Sequence, residues 1–198
     1  GLGKMTRTFH DLYRQHLIRS PYIKKPRPIL INNWEATYFN FDEKKLLEIA
    51  KEASRLGIEL LVMDDGWFGK RNSDDCSLGD WFVNEEKLKG GLGALVENVK
   101  KTGMKFGIWF EPEMVSPDSE LFRAHPDWVI QIPGRNITES RAQYVLDIGR
   151  PEVADAVYKM LSDILRSTEN SKVKWEKNTQ HTTLRSAPLK PHHHPQQK

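Results

Sequence analysis

The sequence predicts an α/β fold built on parallel strands. Three observations carry this: apolar runs of strand length at 29–33, 58–63, 105–110 and 172–175; segments of helical period between them; and Gly or Pro at the joints. Buried strands alternating with helices call for parallel pairing through right-handed crossovers. An open doubly wound sheet and a (β/α)8 barrel both satisfy the pattern. A complete barrel takes roughly 250 residues, so this chain of 198 residues would hold about the first half of one.

Along the chain, residues 5–20 place Phe9, Leu12, Tyr13, His16 and Leu17 at helical spacing. Residues 19–28 read as a basic linker with Pro21, Pro26 and Pro28, where helix cannot continue. The first strand, 29–33, follows. Residues 42–56 form a helix with Leu46, Ile49, Ala50, Ala53 and Leu56 on one face, capped by Asp42 and stopped by Gly57. The second strand, 58–63, leads into a polar loop from 64 to about 91. A helix over 92–102 ends at Gly103, and the third strand spans 105–110. Ser116-Pro-Asp-Ser-Glu120 opens a short helix running to Ala124, with acids in its first turn. Residues 144–147 suit an additional strand. A long amphipathic helix over 150–167 begins with Pro151 and lines up Val153, Val157, Leu161 and Leu165; the last strand spans 172–175. From Thr179 no apolar period remains, and 179–198 reads as a disordered tail. His192-His-His194 lacks the spacing of a structured metal site. The chain thus divides into an N-terminal helix and linker (1–25), the strand–helix body (26–178) and the tail (179–198).

Composition excludes several classes. Hydrophobic residues make up 38% and charged residues 29%, which is globular. No apolar run approaches the roughly 20 residues of a membrane span. The net charge of +3 comes from the end of the chain: Lys177, Arg185, Lys190 and Lys198 fall in the last 22 residues, which hold no acid. Without those four cations, 26 basic residues face 27 acidic ones, and no basic stripe with interleaved aromatics suggests nucleic acid. The single cysteine, Cys76, allows no internal disulfide and reads as a small packing residue; it fits a reducing compartment. With no export signal at the start, the expected location is cytoplasmic. Gly90-Gly-Leu-Gly93 does not directly follow a strand, so it makes no dinucleotide fingerprint.

In a (β/α) barrel the reacting groups lie at the C-terminal ends of strands. Here each strand ends in aromatic plus acidic or amide residues: Trp34 and Glu35; Asp64, Asp65 and Trp67; Trp109, Phe110, Glu111 and Glu113; Lys174, Trp175, Glu176 and Asn178. Indole faces and carboxylates together describe a sugar site, since pyranose C–H faces stack on indole and carboxylates accept from hydroxyls. Blander readings exist for each residue alone. A Trp is often plain core, Asp64 or Asp65 can cap a turn, and Glu111 or Glu113 can pair with a Lys or Arg. Asp74, Asp75 and Asp80 read as a solvated loop, and His125 before Pro126 as a turn residue. The adjacent Asp64-Asp65 pair needs partners, which vicinal diols or a metal would supply. No nearby His or Asp-x-Asp spacing favours the metal.

Several long blocks resemble the bacterial-type α-galactosidases of glycoside hydrolase family 36. They are Pro26-Arg-Pro-Ile-Leu-Ile-Asn-Asn-Trp-Glu-Ala-Thr-Tyr-Phe39, Met63-Asp-Asp-Gly-Trp-Phe-Gly69, Leu78-Gly-Asp-Trp81, Gly107-Ile-Trp-Phe-Glu-Pro-Glu-Met114, Tyr144-Val-Leu-Asp147 and Lys174-Trp-x-x-Asn178. The resemblance covers about residues 1–178. It implies a (β/α)8 catalytic barrel that releases terminal α-linked galactose from melibiose or raffinose-type sugars, with retention and without metal or cofactor. It implies a galactose subsite of Trp34, Asp64, Asp65, Trp109, Arg141, Lys174 and Asn178. It also implies an α-galactoside partner and homo-oligomerisation, with no nucleic acid or membrane.

Two departures stand out. The family's nucleophile is the Asp of Lys-Trp-Asp-x-Asn, and here that position is Glu176. Its extra methylene moves the attacking oxygen by roughly 1 Å, a displacement that costs on the order of a hundredfold in rate. Retention also needs a second carboxyl about 5–5.5 Å away as acid/base. The family's acid lies well beyond this strand, and the chain has no Asp or Glu after Glu176. The expectation is therefore half a catalytic barrel, inactive alone: a truncation, partial gene product or remnant. The rival readings are a non-catalytic galactoside-binding remnant and a fragment of a raffinose-synthase-like galactosyltransferase.

Overall fold

Four short strands form one parallel sheet in the spatial order of the chain: β1 (Leu30–Asn32), β2 (Leu60–Met63), β3 (Lys105–Phe110) and, at the far edge, β6 (Lys172–Trp175). The structure is a computed structural model and describes residues 1–18, 24–132, 134–168 and 172–178. The expected tail over 179–198 lies outside the described residues, as does the part of the expected linker at 19–23.

Three helices make the crossovers: α3 (Glu43–Arg55), α4 (Gly91–Lys101) and α6 (Pro151–Arg166). The Asp42 carboxylate accepts the Lys45 N–H at 2.8 Å and caps α3. Gly57 ends that helix with φ 83°, a left-handed conformation open to glycine. Leu46 and Ala50 of α3, Leu95 and Val99 of α4, and Val153 and Val157 of α6 share one core with Leu61, Met63, Phe106 and Ile108 of the sheet. Leu60 and Val62 are equally buried but stand outside that cluster, as strand alternation requires. All three helices therefore cover one face. A doubly wound sheet would reverse its strand order and place helices on both faces. Unreversed order with one-sided helices is the winding of a (β/α) barrel.

Several expectations need correction. The helix expected over 116–124 is only α5 (Glu120–Ala124), entered through Ser119, whose Oγ accepts the Phe122 N–H at 3.0 Å. Ser116 is instead held to Leu78: its N–H donates to the Leu78 carbonyl at 2.9 Å, and its Oγ accepts the Leu78 N–H at 3.1 Å. The strand expected at 144–147 is β5 (Tyr144–Val145), which pairs antiparallel with β4 (Met114–Val115) outside the parallel sheet. Leu56 is exposed, because the chain turns at the helix end before its side chain can reach the core. The first helix, α1 (Leu2–Leu12), continues as a π-turn over Tyr13–Leu17 and buries no residue. A short helix α2 (Trp34–Thr37) follows β1 directly. Among the described residues, no helix is long and apolar enough to cross a membrane.

Candidate active site at the strand ends

Beyond the C-terminal ends of β1, β2, β3 and β6 lies a cavity of about 180 Å3. Its walls include Trp34, Asp64, Asp65, Trp109, Arg141, Lys174, Glu176 and Asn178, together with Asp74 and Glu111. All eight residues that the resemblance implied thus meet around one hollow, and of the other strand-end residues Glu111 joins them while Glu35, Trp67, Phe110, Glu113 and Trp175 do not line it. It is smaller than the roughly 300–1,000 Å3 of drug-sized sites. Five carboxylates face it against the cations Lys174 and Arg141, so it favours hydroxyl donors and developing positive charge.

Local rules explain how each group gets there. At the end of β1, Asn32 and Asn33 act as brackets. Asn32 Nδ2 donates to Asp64 Oδ2, and its Oδ1 accepts the Trp34 N–H at 2.7 Å. Asn33, fully buried, accepts the Asp64 N–H at 2.8 Å and donates to Thr37 Oγ1 at 2.8 Å. The Trp34 ring stands edge-on to Tyr38 and Phe39, with centroids 5.2 and 5.0 Å away. At the end of β2, Asp64 Oδ1 accepts the Asp65 N–H at 2.9 Å. Gly66 follows with φ 103°, and a Cβ there would stand 3.0 Å from the Phe39 ring.

Lys174 joins β6 to β2. Its ammonium lies 2.7 Å from Asp64 Oδ2 and 2.9 Å from Glu176 Oε1. Glu176 Oε2 accepts from Trp109 Nε1 at 3.0 Å and from Asn178 Nδ2 at 3.1 Å. Burial works to raise the Glu176 carboxyl, but the donors Lys174, Trp109 and Asn178 outweigh it and hold the group below its ordinary value. Burial likewise works to lower Lys174, and its two carboxylate partners outweigh it and raise it. Beyond β3 the ladder gives way to a side chain: Glu111 Oε1 accepts the Asn178 N–H at 2.9 Å. Glu111 is buried, and burial pushes its carboxyl up despite the Asn178 bonds and the charge of Arg141.

Arg141 arrives by a different route. It and Ala142 sit at φ 53° and 55° in the two-residue turn between Ser140 and Gln143. That is the backbone of a type I′ turn, which ordinarily favours Asn-Gly. Its guanidinium lies 3.6 Å from Asp74. Trp175, by contrast, points away, exposed, with its Nε1 on Glu113 at 3.2 Å.

The adjacent acids have partners inside the chain. Asp64 is held by Lys174 and Asn32, and Asp65 by a two-pronged bond from buried Arg71. The solvated-loop reading holds for exposed Asp74 and Asp75 and fails for Asp80. Asp74 faces the cavity. Asp80 is buried and caps α5 through the N–H groups of Glu120 and Leu121 at 3.1 and 3.0 Å. Asn32, Asn33 and Arg71 went unread in the sequence, and Asp74 was read as loop without its place at the cavity. Two amides at a strand end were a legible signal for the first pair; an Arg in a Gly/Asp-rich loop carries none for the third. Cys76 is half-buried with its sulfur 3.3 Å from Ser73 Oγ, and His125 stacks on Trp128 at 3.8 Å. Among the described residues, no group of three or more His, Cys, Asp or Glu side chains is placed to hold a metal ion.

Fold and site together define a (β/α)-barrel segment whose carboxylates and indoles converge where the strands end. The chain belongs to the Melibiase family, whose family model matches residues 1–198 and so runs past Asn178, where the motif resemblance stops. It is 51% identical to alpha-galactosidase AgaA of Geobacillus stearothermophilus over 191 residues, 96% of this chain and 26% of that protein. It is 46% identical to alpha-galactosidase 1 of Pediococcus pentosaceus, again over 96% of this chain and 26% of the relative. The crystal structure of GH36 AgaA superposes with a TM-score of 0.94 at 50% identity, covering 98% of this chain and 27% of that one. A variant of AgaA has been solved in complex with stachyose and aligns with a TM-score of 0.93 at 49% identity, over 98% of this chain and 27% of that one. The chain spans about a quarter of the length of these relatives.

Proposed function

We propose that residues 26–178 form the galactose-binding side of a retaining α-galactosidase site, and that the chain alone binds α-galactosides without hydrolysing them. One observation carries this reading: the Asp64–Lys174–Glu176 linkage lies on the same cavity as Trp34 and Trp109. Trp34 and Trp109 wall a ring-sized space. Asp64 and Asp65 accept from sugar hydroxyls. Lys174 and Arg141 donate charge-assisted bonds to sugar oxygens. Glu176, kept ionised by its three donors, occupies the nucleophile's place.

Turnover is another matter. Both Glu176 oxygens are engaged by protein donors. Its side chain is one methylene longer than the family's Asp, and no Asp or Glu follows it in the chain. A retaining reaction needs a protonated partner across the glycosidic bond. These points favour binding over hydrolysis, and hydrolysis over transfer has no separate support.

The test uses tryptophan fluorescence and a nitrophenyl substrate. Methyl α-D-galactoside is expected to give a saturable change that the corresponding glucoside does not. Nitrophenyl α-D-galactoside is expected to release no nitrophenol. Equal responses to both methyl glycosides would overturn the galactose reading. Release that disappears in Glu176→Gln would overturn the claim that the chain is silent.

A further inference from the structure

We propose that Arg71 is a positioning residue for galactoside recognition: it fixes Asp65 from behind and, through Asp74, sets where Arg141 reaches over the cavity. This rests on the galactoside reading above and adds a residue that does not touch the cavity.

The geometry is specific. Arg71 is 1% exposed, yet all three of its guanidinium nitrogens donate. Nε donates to Asp65 Oδ1 at 3.0 Å, and Nη2 to Asp65 Oδ2 at 2.8 Å. Nη1 donates to the carbonyls of Asp74 and Cys76 at 2.8 and 2.9 Å. The planar fork matches a carboxylate in a way lysine cannot. It therefore sets the plane of the Asp65 carboxylate, and with it the direction of the lone pairs left for a ligand. The carbonyl bonds close the loop over 71–76 around the guanidinium, and that loop presents Asp74.

Asp74 Oδ1 lies 3.6 Å from Arg71 Nη2 and 3.6 Å from Arg141 Nη2. One carboxylate thus stands between a buried guanidinium and an exposed one. Arg71 and Arg141 have no sequence neighbourhood in common, and Asp74 links them. The loop is anchored in turn by Lys87, whose Nζ donates to the carbonyls of Phe39, Gly66 and Arg71 at 2.9, 2.9 and 3.1 Å. Burial pushes the Asp65 carboxyl up and the Arg71 bonds and charge oppose it; Asp74, Asp64, Lys87 and Glu111 are further charges that face it.

Arg71→Lys keeps the charge and loses the fork. Methyl α-D-galactoside titrated into the chain is expected to bind about tenfold more weakly, the size of a lost charged hydrogen bond. In an Asp65→Asn background the same change is expected to cost markedly less, because the Asp65 share of its effect is already gone and only the route through Asp74 remains. Carbon-13 titration of the Asp65 carboxyl, read without ligand, is expected to move up in Arg71→Lys. Equal losses in both backgrounds would reduce Arg71 to general stability and overturn its positioning role, as would an unmoved Asp65 titration. Failure of the unaltered chain to bind the galactoside would overturn the functional reading itself, and the ligand-free titration tells the two failures apart. Should Arg71→Lys not fold, Asp74→Asn changes an exposed side chain at the rim of the cavity. It is expected to weaken binding about threefold and to reduce the further effect of Arg141→Ala; additive losses there would overturn the relay.

Discussion

Glu176 shows how one side chain can be well held and badly placed for chemistry. Its oxygens receive three donors, which hold the carboxyl below its ordinary value against the opposing effect of burial. A carboxylate depressed in the folded state stabilises the fold at pH above its unfolded value, about 4.3, and loses that contribution as pH falls through the lower folded value. Glu176→Gln removes this term. Its stability is expected to fall less steeply than that of the unaltered chain as pH drops below about 4.3, by urea unfolding across an acid series. Glu176→Asp shortens the side chain and draws it back from Trp109 and Asn178. It is expected to leave nitrophenol release undetectable, since proton donation is still missing. Strong release from this variant would mean that another cavity carboxyl, with Glu111 the foremost, donates the proton.

At the scale of elements, the site depends on how closely β6 approaches β3. Gly107 makes that approach possible. A Cβ there would stand 3.2 Å from both Cβ and the carbonyl oxygen of Lys172 and 3.3 Å from Val62 Cγ2. Gly107→Ala is expected to destabilise by about 1–3 kcal/mol. It is also expected to weaken galactoside binding, because Lys174 rides on the displaced strand; urea unfolding and ligand titration read the two effects. The Ser140–Gln143 turn makes the opposite prediction. Ala142 carries a left-handed backbone (φ 55°) that costs an L-residue on the order of 1 kcal/mol. Ala142→Gly relieves it. The melting temperature is expected to rise by about 2–4 °C for a domain of this size, with Arg141 still delivered to the cavity.

For the molecule as a whole, the two faces of the sheet have different fates. One is sealed by α3, α4 and α6; the other holds Leu60 and Val62, and the site residues gather beyond the strand ends. β1 and β6 are its edges among the described residues. On β6, Val173 and Trp175 are 36% and 58% exposed, and on α1 Leu2, Met5, Phe9 and Leu12 form an exposed stripe. Exposed apolar surface beside open strand edges promotes association. The 198-residue chain in isolation is expected to self-associate in sedimentation velocity. Phe9→Glu combined with Leu12→Lys is expected to shift it toward monomer without changing galactoside affinity, since both residues lie outside the cavity.

How much of this was legible depends on range. β3 and β6 match the sequence expectation residue for residue, and α3, α4 and α6 fall within a residue or two, because apolar period, proline and glycine are local signals. β5 falls within the strand expected at 144–147, but its partner β4, about thirty residues earlier, is two residues long and leaves no periodicity to read. The chain order alone determined that Trp34, Asp64, Trp109 and Lys174 end successive strands. Only the tertiary structure decided that Asp64 and Asp65 have separate cationic partners, one 110 residues away and one hidden in a polar loop. The physical reason is that secondary structure is dictated by neighbours in the chain, whereas a buried charge is satisfied by whatever folding brings beside it.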